Sequence, residues 1–477
     1  MCLLTSVAAG RAEKTGADKE ELEIAYDERG IDWLKEAAER GIVQAQLVLA
    51  EHYLNGDGVP QDESMALRLF TQAYEHGHVG AMVKIAELYL DAGPVPLDYE
   101  QAFRCFRQAA SDGDPEGHYR VACMYFDGLG VPQQFDCAFK HFEIAAGMGV
   151  ARASWRLGHF FRDGLLDKPD FQKALVCFEK AARDDVWEAS VDLGEMYLAG
   201  NGVARDARKA KDYFKSAGSK GNGDAQYLLG RMYCLGLELG KDFKRACFWL
   251  DLAVENKHAR AMTLLGSMYL LGVGVEQDFG KAKKLFDQAS QLDEPDAIAK
   301  LAWIYHTGRG VSADPALSLK LALKSSDLGS AYGAYLLGDL YFFGACDEQN
   351  SQAALKSYVL AAERGYAPAL VKVAEMFRDG SGVPVDEAQA YDLFLRAASS
   401  GSRKGQVELA RIHAGRASRE DLVQAYKWYS IAATGSDDLS STAKNERDQL
   451  RKKMDTGSIL EAQRLASTAW DSNITSI

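Results

Sequence analysis

The stretch Ala261–Asp296, AMTLLGSMYLLGVGVEQDFGKAKKLFDQASQLDEPD, is the unit that the rest of the chain copies. Steps of 36 residues from Ala261 land on Ala45, Ala81, Gly117, Ala153, Ala189 and Ala225 on one side, and on Ala297, Gly333, Ala369 and Gly405 on the other. The register never slips. A period this strict decides the fold before local propensity is consulted, because each unit can bury its apolar face only against its neighbours.

Each repeat reads as two helices. Four residues after the register mark stands an aliphatic residue (Leu49, Ile85, Leu193, Leu265), then a small one (Ala50, Gly158, Gly194, Gly266), then an aromatic one (Tyr53, Phe161, Tyr197, Tyr269). Spacings of three and four put these on one helical face, so the stripe is expected to be core. Glycine costs a helix about 1 kcal/mol against alanine. Its recurrence predicts a neighbouring backbone too close for a larger side chain.

A GxGV linker follows at Gly56, Gly128, Gly200, Gly272, Gly308 and Gly380. Glycine permits the positive φ that ends a helix, and none of these linkers continues into the lysine and hydroxyl residue of a phosphate-binding loop. They read as turns. The second helix begins at Asp62, Asp98, Asp170, Asp206, Asp242, Asp278, Asp314, Asn350 and Asp386, with Gln134 the exception. A carboxylate or amide at that place is an N-cap. Within the second helix, alanines (Ala138, Ala174, Ala282, Ala289) alternate with phenylalanines (Phe142, Phe178, Phe286), a large-into-small fit between stacked helices.

Residues 1–30 lie outside the register, with Asp18 to Arg29 reading as a short exposed helix. The repeat array is expected over 31–435, a half repeat carrying Trp33, Ala37 and Gly41 followed by eleven units, the last one residue short near Gly415 to Ser418. Residues 436–477 read as a C-terminal helical cap with Leu450, Met454, Leu460, Leu465 and Trp470 as its apolar contacts.

The string Leu265, Gly266, Tyr269, Gly272, Gly274, Val275, Asp278, Ala282, Phe286, Ala289 resembles the Sel1-like repeat family, relatives of the tetratricopeptide repeats. The chain departs from that pattern at Leu166-Asp167, Glu238-Leu239 and Cys346-Asp347, where linkers of a different shape are expected. The resemblance implies an all-α, right-handed α/α superhelical solenoid that acts as a scaffold or adaptor for other proteins. It equally fits a structural subunit of a bacterial envelope or exopolysaccharide export assembly.

Composition narrows the function. A net charge of −13 disfavours general nucleic-acid binding. No run of residues is long and apolar enough for a membrane span. The eight cysteines form no CxxC pair, so no zinc or redox motif is supported, although Cys234 and Cys247 flank one helix turn and an oxidised pair is the minor alternative. Nine scattered histidines, with no HExxH and no GxSxG, predict no catalytic residue, no metal and no cofactor. A cytoplasmic protein is expected, or a periplasmic or membrane-associated one, anchored at Cys2, if a leader has been removed.

Solenoids bind along their concave face, which the first helices should line. The positions three, six, nine and ten after each register mark are least constrained by the repeat. In the third and fourth repeats they hold Arg120, Arg156, His159 and Arg162, a basic cluster suited to a partner's acidic groups, or else paired with neighbours such as Asp127, Asp163 and Glu195. In the sixth to ninth they hold Leu228, Arg231, Leu235, Leu271, Trp303, Leu336, Phe342 and Phe343. These are either an apolar patch for a partner protein or peptide, with Trp303 as anchor, or further core.

Overall fold

The computed structural model describes residues 30–90, 97–237, 240–344, 349–435 and 437–474, with side chains through residue 468. Its described backbone is helix and turn, without strand. It forms two compact units, Met1–Ala225 and Gln226–Ile477. The expected helix at Asp18 to Arg29, Cys2, the departures Glu238-Leu239 and Cys346-Asp347, and the Trp470 side chain lie outside the described residues.

Each repeat supplies two helices, most of them 13 residues, a length of about 20 Å. In Met1–Ala225, Pro115–Asp127 packs on Phe135–Gly147, which packs in turn on Ala151–Asp163, the first helix of the next repeat. In Gln226–Ile477 the same order runs through Ala259–Leu271, Phe279–Gln291 and Pro295–Thr307. The fold is an all-α solenoid of tandem helix pairs.

In four repeats a glycine of the first helix meets a ring of the second. A Cβ placed on Gly266 would stand 2.7 Å from the Phe286 ring, and one on Gly338 would stand 2.5 Å from Tyr358. Gly158 and Gly194 face Phe178 and Phe214 in the same way. The close neighbour is therefore a ring from the second helix of the same repeat, not a backbone as the sequence suggests. These rings are fully buried, and so are the alanines around them. Where leucine replaces the ring at this position of the second helix, Leu250 enters against Gly230.

The linker is fixed at both ends. Gly56, Gly128, Gly200, Gly272, Gly308 and Gly380 end their helices in the left-handed conformation, with φ of 66–78°. The second glycine has a separate reason: a Cβ on Gly202 would lie 2.6 Å from Phe171 Cβ, at the start of the preceding repeat's second helix. The aspartates then cap as expected: Asp278 accepts from Lys281 N at 2.9 Å and Asp62 from Met65 N at 3.0 Å, whereas Gln134 makes no side-chain cap. Each such cap contributes about 1 kcal/mol. The capping residue's own amide donates to the carbonyl of the repeat's aromatic residue, as in Asp278 N to Tyr269 O at 3.0 Å and Asp206 N to Tyr197 O at 2.9 Å. The departing repeats keep this bond, with Asp170 N on Phe161 O at 2.7 Å, Asp242 N on Tyr233 O and Asn350 N on Tyr341 O at 3.0 Å.

The aromatic position is less buried than its periodicity suggests. Tyr53, Tyr125, Phe161 and Tyr269 are half-buried, near the ends of their helices, and in several repeats a cation from the capped helix lies over the ring. Lys209 lies 5.0 Å over Tyr197, and Lys281 lies 5.2 Å over Tyr269.

Toward the C-terminus, Ala417 takes a left-handed φ of 57° and Ser418 caps the next helix through Asp421 N, so the one-residue loss shortens a single linker. Leu450 is buried, and Met454, Ile459 and Leu465 pack against the same core. Leu460 does not: it is 61% exposed, on the outer side of its helix.

Gly266→Val is expected to lower stability by about 1–3 kcal/mol through overpacking against Phe286. Adding Phe286→Leu to the same chain should recover part of that loss in urea denaturation. No loss for the single variant would show that the ring does not set the helix spacing.

Candidate functional site

The variable positions of the first helices separate into two chemistries. In Met1–Ala225 they are charged and bonded to one another. Arg120 Nε donates to Glu116 at 2.7 Å, one turn back, and its Nη2 donates to Glu87 of the preceding repeat at 3.1 Å. Arg162 Nη1 donates to Asp192 of the following repeat at 2.6 Å, and its Nε donates to Asp163 at 2.7 Å. Arg156 lies across the Trp155 and Phe126 rings at 5.0 and 5.8 Å, with its buried Nε lacking a hydrogen-bond partner. Two of the three arginines are thus staples between repeats.

Asp192 is the residue that sequence reading missed. It is buried, and besides Arg162 it accepts the Trp155 indole N–H at 2.7 Å and has His159 Nε2 at 3.4 Å. Its signal was available, since it stands three residues after Ala189, the same offset as Arg120 and Arg156. Burial raises its carboxyl to about 6, against the opposing pull of Trp155 and Arg162. Burial, then the charge of Arg162, lowers His159 to about 4. The imidazole is therefore neutral at pH 7, and its 3.4 Å approach to Asp192 is not an ion pair.

In Gln226–Ile477 the tenth and eleventh first helices repeat this pairing, with Arg378 Nη1 on Glu408 at 3.1 Å, whereas the apolar variable positions of the sixth to ninth repeats divide by offset. Leu336, three after its mark, is 3% exposed and belongs to the core. Trp303, at six, is half-buried between two apolar clusters with Arg309 4.9 Å over its ring, so it packs with the core more than it projects. Leu228 is also half-buried. Leu235, Leu271 and Phe343, all at offset ten, are 52%, 66% and 60% exposed. The reason is positional. Each is the last residue of its 13-residue helix, beyond the reach of the second helix that covers offsets three and six. Arg231 is exposed on the same helix as Leu235, and half-buried Phe342 meets Phe343 edge-on at 5.2 Å.

The structure also joins residues that are distant in sequence. His118 and His141 approach at 3.0 Å between their Nδ1 atoms, and burial lowers both. Among the described residues no group of three His, Cys, Asp or Glu side chains is placed to hold a metal ion. Cys234 and Cys247 are free thiols; Cys234 Sγ lies 3.6 Å from Met268 Sδ, and burial raises it to about 11. No described helix is long and apolar enough to cross a membrane.

The two shifts act in opposite directions on stability. A carboxyl raised from 3.8 to about 6 favours the folded state as pH falls through that window, because the folded chain takes up its proton first. A histidine lowered from 6.5 to about 4 disfavours it over nearly the same window, because the unfolded chain protonates first. His159→Gln removes only the second effect. Its urea midpoint is expected to rise relative to the parent chain between pH 6.5 and pH 4; a falling difference would contradict the lowered histidine.

Comparison with known proteins places these repeats. The Sel1 repeat model matches residues 27–42, 43–78, 79–114, 115–150, 151–186, 187–222, 223–258, 259–294, 295–330, 331–366, 367–402 and 404–437. A protective antigen of uropathogenic Escherichia coli with an SLR fold is 26% identical, with a TM-score of 0.64 over 92% of this chain and 94% of the antigen. A Sel1 repeat protein from Oxalobacter formigenes is 27% identical, with a TM-score of 0.51 over 65% of this chain and 90% of its own. Curated proteins provide no match. With twelve matched repeats running from residue 27 to residue 437, the chain belongs to the Sel1 repeat family.

Proposed function

We propose that the chain is a non-enzymatic scaffold that holds a segment of another protein against the face of its first helices. Sel1 and related helix-pair repeats generally mediate contacts between proteins, and the geometry here favours the same use. The carrying observation is the row Leu235, Leu271 and Phe343, large apolar side chains exposed at one register offset within a single compact unit. Other repeats place polar or small residues there, such as Asp127, Asp163, Ala199, Thr307 and Asp379. Exposed apolar side chains grouped in this way mark a protein contact.

In this reading Leu235, Leu271 and Phe343 grip the partner, Phe342 and Trp303 form the floor behind them, and Arg231 supplies a charge at the rim. Arg120, Arg156, His159 and Arg162 keep neighbouring repeats in register and are secondary to the contact.

The test uses the full chain with Leu271→Asp and Phe343→Asp together. Both side chains are exposed, so the melting temperature should change little. Affinity capture from the native cells, quantified beside the parent chain, should lose the partner. Equal capture by both chains would remove this row from the binding surface. Trp303→Ala is expected to behave differently, destabilising the chain by about 2–4 kcal/mol through a cavity between its two clusters.

A further inference from the structure

A cleft of 680 Å³ opens among the N-terminal ends of the first helices Ala259–Leu271, Pro295–Thr307 and Ala331–Phe343. Lys300 lines it, three residues after its register mark, where the flanking repeats carry Leu264 and Leu336. The Lys300 ammonium stands 4.2 Å over the Tyr332 ring, and Tyr366 backs that ring edge-on at 5.9 Å.

The nearest carboxylate in sequence is Asp296, four residues earlier on the same helix, the spacing at which an acid and a lysine ordinarily pair. It does not pair here. Asp296 instead accepts the hydroxyl of Ser330 at 2.6 Å, and the Ser330 oxygen accepts Gly333 N at 2.9 Å to cap the next helix. Among the described residues no carboxylate lies within ion-pair distance of Lys300. Burial lowers its pKa, with Asp296 opposing. Glu294 also lines the cleft, and burial raises its pKa against the opposing charge of Arg260.

A half-buried cation without a counter-ion gains more from an arriving anion than a fully solvated surface lysine does, because part of its desolvation precedes binding. Arg260 on the cleft wall supplies a second positive group. Tyrosine faces suit the methylenes and backbone beside an acidic group, and the volume accommodates a few residues of an extended chain. We propose that this cleft receives an aspartate or glutamate side chain from the partner polypeptide, its carboxylate held by Lys300 with Arg260 beside it. This rests on the scaffold reading and names the chemistry of one contact within it.

The probe is a pair of degenerate nine-residue capped peptide pools, identical except for Glu or Gln at the centre, passed over the immobilised full chain. The parent chain is expected to retain the Glu pool roughly tenfold over the Gln pool, the strength of one charge-assisted hydrogen bond. Lys300→Met should erase the preference while keeping the parent's melting temperature, and Lys300→Arg should keep part of it. Equal retention of the two pools by the parent chain overturns the proposal, as does an undiminished Glu preference in Lys300→Met. Phenylacetate supplies the free-acid arm: if it binds through Lys300 while the Glu pool is not preferred, the site takes small acids and not a polypeptide. If the cleft fails while Leu271→Asp with Phe343→Asp still abolishes partner capture, only the cleft assignment falls. If that double variant also captures normally, the scaffold surface falls with it.

Discussion

The structure depends on a side chain that is absent. Where Gly158, Gly194, Gly266 and Gly338 face the second helix, a ring occupies the volume that a Cβ would need. The two helices of a repeat can therefore approach closely enough for the ring to be fully enclosed. Burying a phenylalanine side chain contributes about 1.5–3 kcal/mol, which exceeds the roughly 1 kcal/mol that glycine takes from the helix. The exchange occurs in these four repeats; in four others an alanine holds the same position, and Phe70, Phe106, Phe142 and Phe394 are enclosed there as well.

Given that spacing, the linker has little freedom. Its first glycine ends one helix, its second accommodates the preceding repeat, and the aspartate closes the next helix by accepting an amide proton. The aspartate's own N–H returns to the carbonyl at the aromatic position, so the aromatic residue is anchored through its backbone while its ring lies half-covered by a cation. This bond survives at Asp170, Asp242 and Asn350, where the GxGV string is incomplete, which explains how the period tolerates altered linkers.

Individuality resides in what the repeat leaves free. In Met1–Ala225 the free positions bond to each other across repeats, as Arg120 does to Glu87 and Arg162 to Asp192. Such partly buried, charge-assisted contacts stiffen a stack and leave fewer groups for a ligand. In Gln226–Ile477 Arg378 bonds to Glu408 in the same way, but the sixth to ninth repeats also carry exposed apolar side chains and Lys300 beside Tyr332. Exposed apolar edges and a half-buried cation are both unfinished interactions, and those belong to a surface that meets another molecule.

The sequence by itself determined the repeat length, the helix boundaries, the capping aspartates and the enclosed rings. These arise from contacts within one 36-residue unit or between equivalent faces of adjacent units, and repetition makes such contacts visible as a period. Only the tertiary structure decided which variable residue meets which, because those partners lie 30 or more residues apart and have no period of their own. Asp192 carried the same offset as Arg120 and Arg156, yet its role follows from the approach of Arg162, Trp155 and His159 from the repeat before it. Leu336 and Phe343 read alike as apolar positions on one helix; the reach of the covering second helix made the first core and left the second exposed. Lys300 would ordinarily be paired with Asp296 at its spacing, and it is a serine from the next repeat, Ser330, that takes the aspartate and leaves the lysine facing the cleft.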